Sequence, residues 1–302
     1  MDVKPPRSLR SLPPEGAPAD LGAARRSAAA RTYLFVPGNR PERFEKALAS
    51  GADRVVLDLE DAVAGEAKTR ARDAIANWAA GALASARERI AVRINDAANA
   101  GFADDLRLLR EAGLHEVMLP KTESDEQLGA VRAGLPGARL LALVETARGI
   151  AQAEAIAAAP GVARLVFGTL DFALDLDLDI TDDNAPLAYA ASRLVMASRL
   201  AGLACPVAGV TPQLDDEARL LADLSWSRRH GLAAKLCIHP KQIAPVHAAL
   251  APSTEALEWA RRVLAAEAAA VGNTAGAARL DGRMIDRPVV LQAQRTLQRA
   301  GF

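Results

Sequence analysis

Eight short apolar runs, each followed by a longer segment of helical period, constrain the fold of this chain more than any other feature. The runs are continuously apolar, which is typical of strands buried on both faces of a parallel sheet. They span residues 32–36, 54–59, 90–94, 116–119, 140–144, 164–167, 206–210 and 234–238. Segments rich in Ala, Leu and Arg at helical spacing lie at 42–49, 68–80, 101–112, 124–133, 150–159, 186–201 and 215–230.

This alternation predicts an α/β fold, a (β/α)8 TIM barrel with a C-terminal helical extension, because eight strand–helix units close into a barrel readily. An open doubly wound sheet is the alternative, but no Gly-x-Gly-x-x-Gly follows the first run. We expect a flexible N-terminal extension over residues 1–30, which hold five prolines, and a barrel domain over 31–252. Residues 253–302, beginning with a helix over 254–271, would pack on the barrel or on a neighbouring subunit.

Composition excludes several classes of function. In 302 residues, 37 basic side chains balance 37 acidic ones, so no net field attracts nucleic acid or an acidic membrane. The two cysteines lie in apolar runs and form no disulfide framework, and no run approaches the roughly 18 apolar residues of a membrane span. The first thirty residues lack the order of a secretory signal, and their acids disfavour an organelle transit peptide. We therefore expect a cytoplasmic, globular protein.

Acidic side chains follow three of the predicted strands, where the carboxyl ends of a parallel barrel form the active-site mouth. Glu60 and Asp61 follow the second run, Glu145 the fifth, and Asp171 the sixth. Together these acids would repel one another unless a cation or buried basic groups offset them. Mg²⁺ is usually held by one or two carboxylates, so Glu145 and Asp171 would suffice. Helix capping by the same acids is the other interpretation, and spacing alone leaves both open.

Basic and imidazole side chains also follow the runs. Arg93 ends the third run, where it could clamp a carboxylate or stabilise an enolate oxygen, or pair with Glu60 or Asp58; both can hold at once. Lys121 has the same two interpretations. His239 follows the eighth run without a second zinc ligand at the required spacing, which favours a structural or cofactor-lining role. The sequence has no nucleophile elbow and no P-loop motif.

These strand-end residues lie in motifs that resemble those of the citrate lyase β-subunit-like family. That family belongs to the HpcH/HpaI aldolase group and includes malyl-CoA and citramalyl-CoA lyases. Eight stretches carry the resemblance in order: 31–38, 58–63 with Lys68 and Arg72, 93–95, 119–121, 144–149, 167–168 with Asp171, 235–240 with Gln242 and Ile243, and 281–286. It runs from Arg31 to about Ala293, and the number of motifs makes it specific.

The resemblance implies a TIM barrel that assembles as a homotrimer or hexamer, with Glu145 and Asp171 as Mg²⁺ ligands. Arg93 would contact the reacting oxygens of the substrate, and Glu60 would share in catalysis. Asp286, supplied by a neighbouring subunit, would protonate the acetyl-CoA enolate. The residues expected to bind substrate or CoA are Arg31, Pro37, Gly38, Lys121, His239 and Pro240.

By the same resemblance, the chain is expected to be a Mg²⁺-dependent carbon–carbon lyase. It would cleave an acyl-CoA thioester, a β-hydroxyacyl-CoA of the citramalyl-CoA or malyl-CoA type, to an α-keto acid and acetyl-CoA. The alternatives are the β-subunit of a citrate lyase complex acting on a carrier-bound citryl thioester to give oxaloacetate, a malate-synthase-like transferase, and a non-catalytic acyl-CoA-binding scaffold. No nucleic-acid or membrane partner is expected.

Two positions depart from the family pattern. Ala208 stands where many relatives carry Asp in the seventh strand, and Ala234 stands where a Gly is usual before the eighth. Both positions lie away from Glu145 and Asp171. We therefore expect them to affect the shape of the acyl or CoA pocket, and so the substrate, more than the type of reaction.

Overall fold

The barrel is closed by eight parallel strands in chain order. The computed structural model describes residues 30–271 and 279–300, so the predicted N-terminal extension lies outside the described residues except for Ala30. Strand β1 also pairs with β8, with Thr32 opposite Lys235, which closes the sheet. The predicted TIM barrel is therefore confirmed. The strands are β1 Thr32–Pro37, β2 Arg54–Asp58, β3 Ile90–Arg93, β4 Glu116–Leu119, β5 Arg139–Val144, β6 Val162–Phe167, β7 Val207–Ala208 and β8 Ala234–Cys237.

Helices follow the strands and form the outer layer. They are α1 Phe44–Ala49, α2 Lys68–Gly81, α3 Ala84–Arg87, α4 Phe102–Ala112, α5 Asp125–Gly134, α6 Ala147–Ala151, α7 Ala153–Ala158, α8 Thr169–Asp175, α9 Ala188–Leu200, α10 Glu217–Arg229, α11 Ile243–Leu250, α12 Thr254–Val271 and α13 Arg287–Arg299. The segment predicted as one helix over 150–159 is two short helices, because the backbone at Gln152 leaves the helical region. Among the described residues, no helix is long and apolar enough to cross a membrane.

Strand side chains alternate between two apolar layers. One fills the barrel interior, and the other packs the strands against the helices. Ala208 belongs to the helix-facing layer, whereas Ala234 lies in the interior. Position 208, where the family pattern has Asp, therefore lies between strand and helices, beside its register partner Lys235, and not in the interior of the barrel.

The C-terminal helices α12 and α13 have a small core of their own. It contains Ala260, Val263, Ile285, Val290 and Ala293. A two-stranded hairpin, β9 Arg279–Leu280 with β10 Arg283–Met284, precedes α13. We call α12, the hairpin and α13 the C-terminal module. This core is separate from the two apolar layers of the barrel. The domain boundary at 252/253, and the packing of this segment on the barrel or on a neighbouring subunit, stay predictions.

Candidate active site

The turn after β2 is organised around the buried carboxylate of Asp58. Its Oδ1 accepts a hydrogen bond from the Glu60 amide at 2.9 Å, and its Oδ2 accepts one from the Ala62 amide at 3.1 Å. Arg93, at the end of the neighbouring β3, binds both oxygens, Nε to Oδ1 at 2.7 Å and Nη2 to Oδ2 at 2.6 Å. Four donors thus fix Asp58, and the guanidinium is held in one orientation.

Glu60 extends this ion-pair chain across the mouth of the barrel. Its Oε2 lies 2.8 Å from Arg93 Nη1, and its Oε1 lies 2.7 Å from Lys121 Nζ. Arg93 therefore forms both ion pairs considered from the sequence. Burial lowers the pKa of Arg93, but its hydrogen bonds to Asp58 and the charges of Asp58 and Glu60 raise it overall, so the side chain stays cationic. The guanidinium carbon lies 4.9 Å from the centre of the Phe35 ring, a cation–π contact on the interior side.

Glu145 follows β5 and is almost fully enclosed, with 2% of its surface exposed. The Lys121 amide donates to its Oε1 at 2.8 Å. A side chain on Gly168 would overlap the Glu145 carboxylate, so only glycine fits there. Glu145 does not cap the following helix, because Thr146 does so by accepting from the Gly149 amide at 3.1 Å. The capping interpretation is therefore wrong for Glu145.

Asp171 lies in the first turn of α8, directly after β6, and is partly buried. Burial and, to a smaller extent, the charges of Asp171 and Glu60 raise the pKa of Glu145 to about 8, against the opposing effects of the Lys121 amide and the charge of Arg93. The two carboxylates follow adjacent strands and are close enough for the charge of Asp171 to raise the pKa of Glu145.

The net charge of this cluster favours a divalent cation. When all are ionised, the four carboxylates of Asp58, Glu60, Glu145 and Asp171 exceed the two cations Arg93 and Lys121 by two negative charges; while Glu145 is protonated the excess is one. Within residues 30–271 and 279–300, no three His, Cys, Asp or Glu side chains are grouped to hold a metal. Mg²⁺ needs only one or two protein carboxylates and takes water or substrate oxygens elsewhere, so Glu145 and Asp171 fit it.

Pro37, Gly38, His239 and Pro240 lie at the same rim. The Gly38 amide donates to the Asp58 carbonyl at 2.8 Å, and a Cβ on Gly38 would lie 2.7 Å from that oxygen. His239 caps the turn that starts at Pro240, its Nδ1 accepting from the Lys241 amide at 3.1 Å. The rim glycine and the histidine thus shape the loops around the mouth.

Two predicted site residues lie apart from this cluster. Arg31 precedes β1, and its amide donates to Asp53 Oδ2 at 2.7 Å at the amino end of the barrel, about 20 Å of strand away from Pro37. The structure therefore does not bring Arg31 to the mouth of its own barrel. Asp286 lies in the C-terminal module, where it caps α13 by accepting from the Val289 amide at 3.2 Å.

Sequence reasoning missed two groups at the mouth. Asp58 was considered only as a partner of Arg93, although its position two residues before Glu60 signals the turn that it organises. Phe35 was treated as an ordinary strand residue; its place two residues before the end of β1, on the interior face, is the signal that could have found it.

The chain is similar to proteins of a well-defined group. Residues 31–240 match the model of the HpcH/HpaI aldolase/citrate lyase family, and residues 189–302 match that of the carbon–carbon bond lyases of the TIM-barrel fold. A citrate lyase subunit beta-like protein of Deinococcus radiodurans is 38% identical over 88% of this chain and 96% of that protein. A (3S)-malyl-CoA thioesterase of Cereibacter sphaeroides is 33% identical over 89% of this chain and 94% of that protein.

A solved structure extends the similarity to three dimensions. The protein CitE of Mycobacterium tuberculosis, in complex with magnesium, acetoacetate and coenzyme A, has a TM-score of 0.79 and 36% identity. The match covers 91% of this chain and all of that one.

Proposed function

Because the chain belongs to the HpcH/HpaI aldolase/citrate lyase family and is a carbon–carbon lyase, we propose that it cleaves a β-hydroxyacyl-CoA. The substrate would be of the citramalyl-CoA or malyl-CoA type, and the products an α-keto acid and acetyl-CoA. The observation that carries this proposal is the convergence of Glu145, Asp171 and a fixed Arg93 at the carboxyl end of the barrel. Such a set can stabilise negative charge on substrate oxygens.

In this proposal Glu145 and Asp171 hold Mg²⁺. The excess negative charge at the mouth and the magnesium in the structure of the M. tuberculosis relative support the assignment. When bound, the ion supplies positive charge that lowers the cost of developing negative charge on the substrate oxygens.

Arg93 is preorganised to share that task. Three of its five N–H groups bind Asp58 and Glu60, and the other two, which bind no side chain in the described part of the chain, could serve the substrate. Since Asp58 fixes the guanidinium through two bonds, little reorganisation is needed as the carbon–carbon bond breaks. Glu60 acts through Arg93, because its carboxylate binds Nη1, whereas Asp58 binds Nε and Nη2.

Asp286 is the proposed acid that protonates the acetyl-CoA enolate at carbon. Within its own chain it lies in the C-terminal module, apart from the ion cluster of the mouth. We therefore propose a homotrimer or hexamer in which Asp286 of one subunit completes the site of another. Pro37, Gly38, His239 and Pro240 surround the mouth and would contact the acyl or CoA moiety; Lys121, whose ammonium binds Glu60, and Arg31 are not included.

A second candidate is hydrolysis of the thioester, which the similarity to a (3S)-malyl-CoA thioesterase favours. A third is the role of a citrate lyase β-subunit, which similarity to the beta-like protein of D. radiodurans favours. The three differ in their products. A lyase gives a keto acid and acetyl-CoA, a thioesterase gives free CoA, and a β-subunit gives oxaloacetate from a citryl thioester on an acyl carrier.

The test incubates the purified protein with Mg²⁺ and, separately, malyl-CoA, citramalyl-CoA, hydroxymethylglutaryl-CoA and a carrier-bound citryl thioester. Keto acid and free CoA thiol are measured in parallel. The proposal expects keto acid from malyl-CoA or citramalyl-CoA, dependent on Mg²⁺ and lost in Asp171→Asn. Asp182→Asn, at an exposed position in the following loop, is the matched control and keeps activity. If neither CoA thioester releases keto acid, the proposal fails.

A further inference from the structure

Lys121, immediately after β4, has an unusual backbone. Its φ is +47°, in the left-handed region that side chains with a Cβ rarely adopt. Two other non-glycine residues in the described ranges share this conformation, Asp177 and Asp281, and both are exposed loop aspartates, a residue type that tolerates it well. Lysine has no such preference, so the surrounding structure must hold Lys121 in place.

The neighbouring hydrogen bonds show how the turn is held. The Thr122 amide donates to the Leu143 carbonyl at 3.0 Å, and the Thr122 hydroxyl donates to the Leu119 carbonyl at 2.8 Å. These bonds fix the chain on both sides of Lys121. The left-handed conformation then directs the Lys121 amide at Glu145 Oε1, 2.8 Å away. The enclosed carboxylate accepts no other hydrogen bond from the described part of the chain.

The side chain of Lys121 contacts a second carboxylate. Its ammonium lies 2.7 Å from Glu60 Oε1, and Glu60 in turn contacts Arg93 at 2.8 Å. One residue therefore binds an acid from β5 through its amide and an acid from the β2 turn through its ammonium. A residue that only recruited CoA would need neither the strained backbone nor the amide contact.

Building on the proposed function, we propose that Lys121 is a positioning residue for the lyase reaction. Its left-handed backbone orients Glu145 toward Mg²⁺, and its ammonium fixes Glu60 and, through Glu60, Arg93. The two roles belong to different parts of the residue, so substitutions can separate them.

The backbone role is tested with Lys121→Gly and Lys121→Val. Both remove the ammonium, but glycine adopts the left-handed conformation freely, whereas a β-branched residue strongly disfavours it. Titration calorimetry should give a Mg²⁺ affinity within about threefold of wild type for the glycine variant and at least tenfold weaker for the valine variant. Asp281→Val, the same backbone change in the C-terminal module, is the matched control with unchanged Mg²⁺ affinity.

The side-chain role is tested with Lys121→Met and Lys121→Arg, both unbranched at Cβ. Lys121→Met should keep its Mg²⁺ affinity and lose at least tenfold in kcat, with KM for the thioester nearly unchanged; Lys121→Arg should recover most of kcat. Lys241→Met removes an exposed lysine that pairs with Asp215 at a neighbouring loop, and should leave kcat unchanged.

Equal Mg²⁺ affinities in the glycine and valine variants would overturn the backbone role, as would a wild-type protein that binds no Mg²⁺. If Lys121→Val does not fold, Lys121→Thr, which is also branched at Cβ, replaces it and should show a loss of Mg²⁺ affinity in the same direction. A rise in KM with kcat intact in Lys121→Met would overturn the side-chain role. The calorimetry also separates this proposal from the proposed function, because a wild type that binds Mg²⁺ yet cleaves no thioester defeats only the latter.

Discussion

Two buried glutamates at opposite ends of the barrel have opposite surroundings. Glu116, at the amino end of β4, is 1% exposed and lies between two arginines, 3.2 Å from Arg54 Nε and 2.9 Å from Arg139 Nη2. Glu145, at the carboxyl end of β5, is similarly enclosed but accepts its hydrogen bond from the neutral amide of Lys121. The same residue type thus forms direct ion pairs at one end and, among the described residues, none at the other.

The difference indicates which end of the barrel can bind a cation. Removing one member of a buried ion pair leaves the charge of the other member uncompensated. Glu116 therefore contributes to the stability of the fold. Within residues 30–271 and 279–300, Glu145 has no ion-pair partner; mainly through burial its pKa is raised to about 8, a cost of ionisation that a bound divalent cation would offset. We therefore interpret the balanced buried charge at the amino end as structural, and we propose that the excess negative charge at the carboxyl end serves metal binding.

The largest expected effects come from exchanging the two acids for amides. Glu145→Gln should weaken Mg²⁺ binding and reduce turnover by about two orders of magnitude or more, while the protein stays folded. Glu116→Gln should lower the free energy of unfolding by about 3 kcal/mol and leave Mg²⁺ binding intact. Calorimetry with Mg²⁺ and urea unfolding of both variants check this. A loss of Mg²⁺ binding in Glu116→Gln, or a loss of stability alone in Glu145→Gln, would contradict the difference between the two ends.

Asp286→Asn tests whether a second acid acts at the carboxyl end of the barrel together with Glu145. We expect turnover to fall about a hundredfold, the scale of a lost general acid, with Mg²⁺ affinity unchanged. Mixed oligomers of Asp286→Asn and Glu145→Gln subunits should regain activity, because one subunit would supply the ligand and another the acid. Undiminished exchange of solvent deuterium into acetyl-CoA by Asp286→Asn would rule out its role as the acid.

The affinity for Mg²⁺ should depend on pH through Glu145. Its pKa is raised from 4.5 to about 8 by burial and by the charges of Asp171 and Glu60, so Mg²⁺ must displace a proton at pH 7. Affinity should therefore rise about tenfold per pH unit up to about pH 8 and then level off. Calorimetry between pH 6 and about 9 tests this, and an affinity independent of pH would contradict it.

The raised pKa of Glu145 also makes the stability of the metal-free protein depend on pH. This stability falls as pH rises, whereas the Mg²⁺ affinity rises. The folded state binds the Glu145 proton more tightly than the unfolded state, so its contribution to stability is complete below about pH 4.5 and is lost as pH rises through about 8. Glu145→Gln should lack this dependence when unfolding is followed without metal.

The smallest expected effect concerns Lys235, a buried cation beside Ala208. Burial lowers its pKa from 10.5 to about 8, and the charge of Asp223 only partly opposes the shift. The folded state favours the neutral amine, so this penalty is complete below about pH 8 and disappears as pH rises to about 10.5. Lys235→Met should raise the free energy of unfolding at pH 7, because it removes the cost of burying the charge, without changing Mg²⁺ affinity. Urea unfolding at pH 7 and at about pH 10 checks the loss of this gain.

The barrel was predictable because each strand has a continuous apolar run that helices then cover. The seventh strand was the exception: only Val207–Ala208 pairs as a strand, and at Gly209, directly after it, a Cβ would overlap the Thr169 side chain of the neighbouring unit. Such contacts arise between distant segments, so local sequence patterns cannot predict them.

The site was predictable only in part, for similar reasons. Strand-end positions predicted that Glu145 and Asp171 lie at one mouth, but they left capping open for Glu145, and only the structure shows that Thr146 forms that cap; metal binding stays a prediction. The φ of Lys121 depends on the packing of β4 against β5. Whether Asp286 reaches a second subunit depends on assembly, which no pattern within one chain encodes.

Anomalous diffraction from crystals of the wild-type protein soaked in Mn²⁺, a hard divalent substitute for Mg²⁺, tests the central claim most directly. The account predicts one strong peak at the mouth, at bonding distance, about 2.1 Å, from carboxylate oxygens of both Glu145 and Asp171. A peak bound by Glu60 and Asp61 instead, or no peak at the carboxyl end of the barrel, would contradict it.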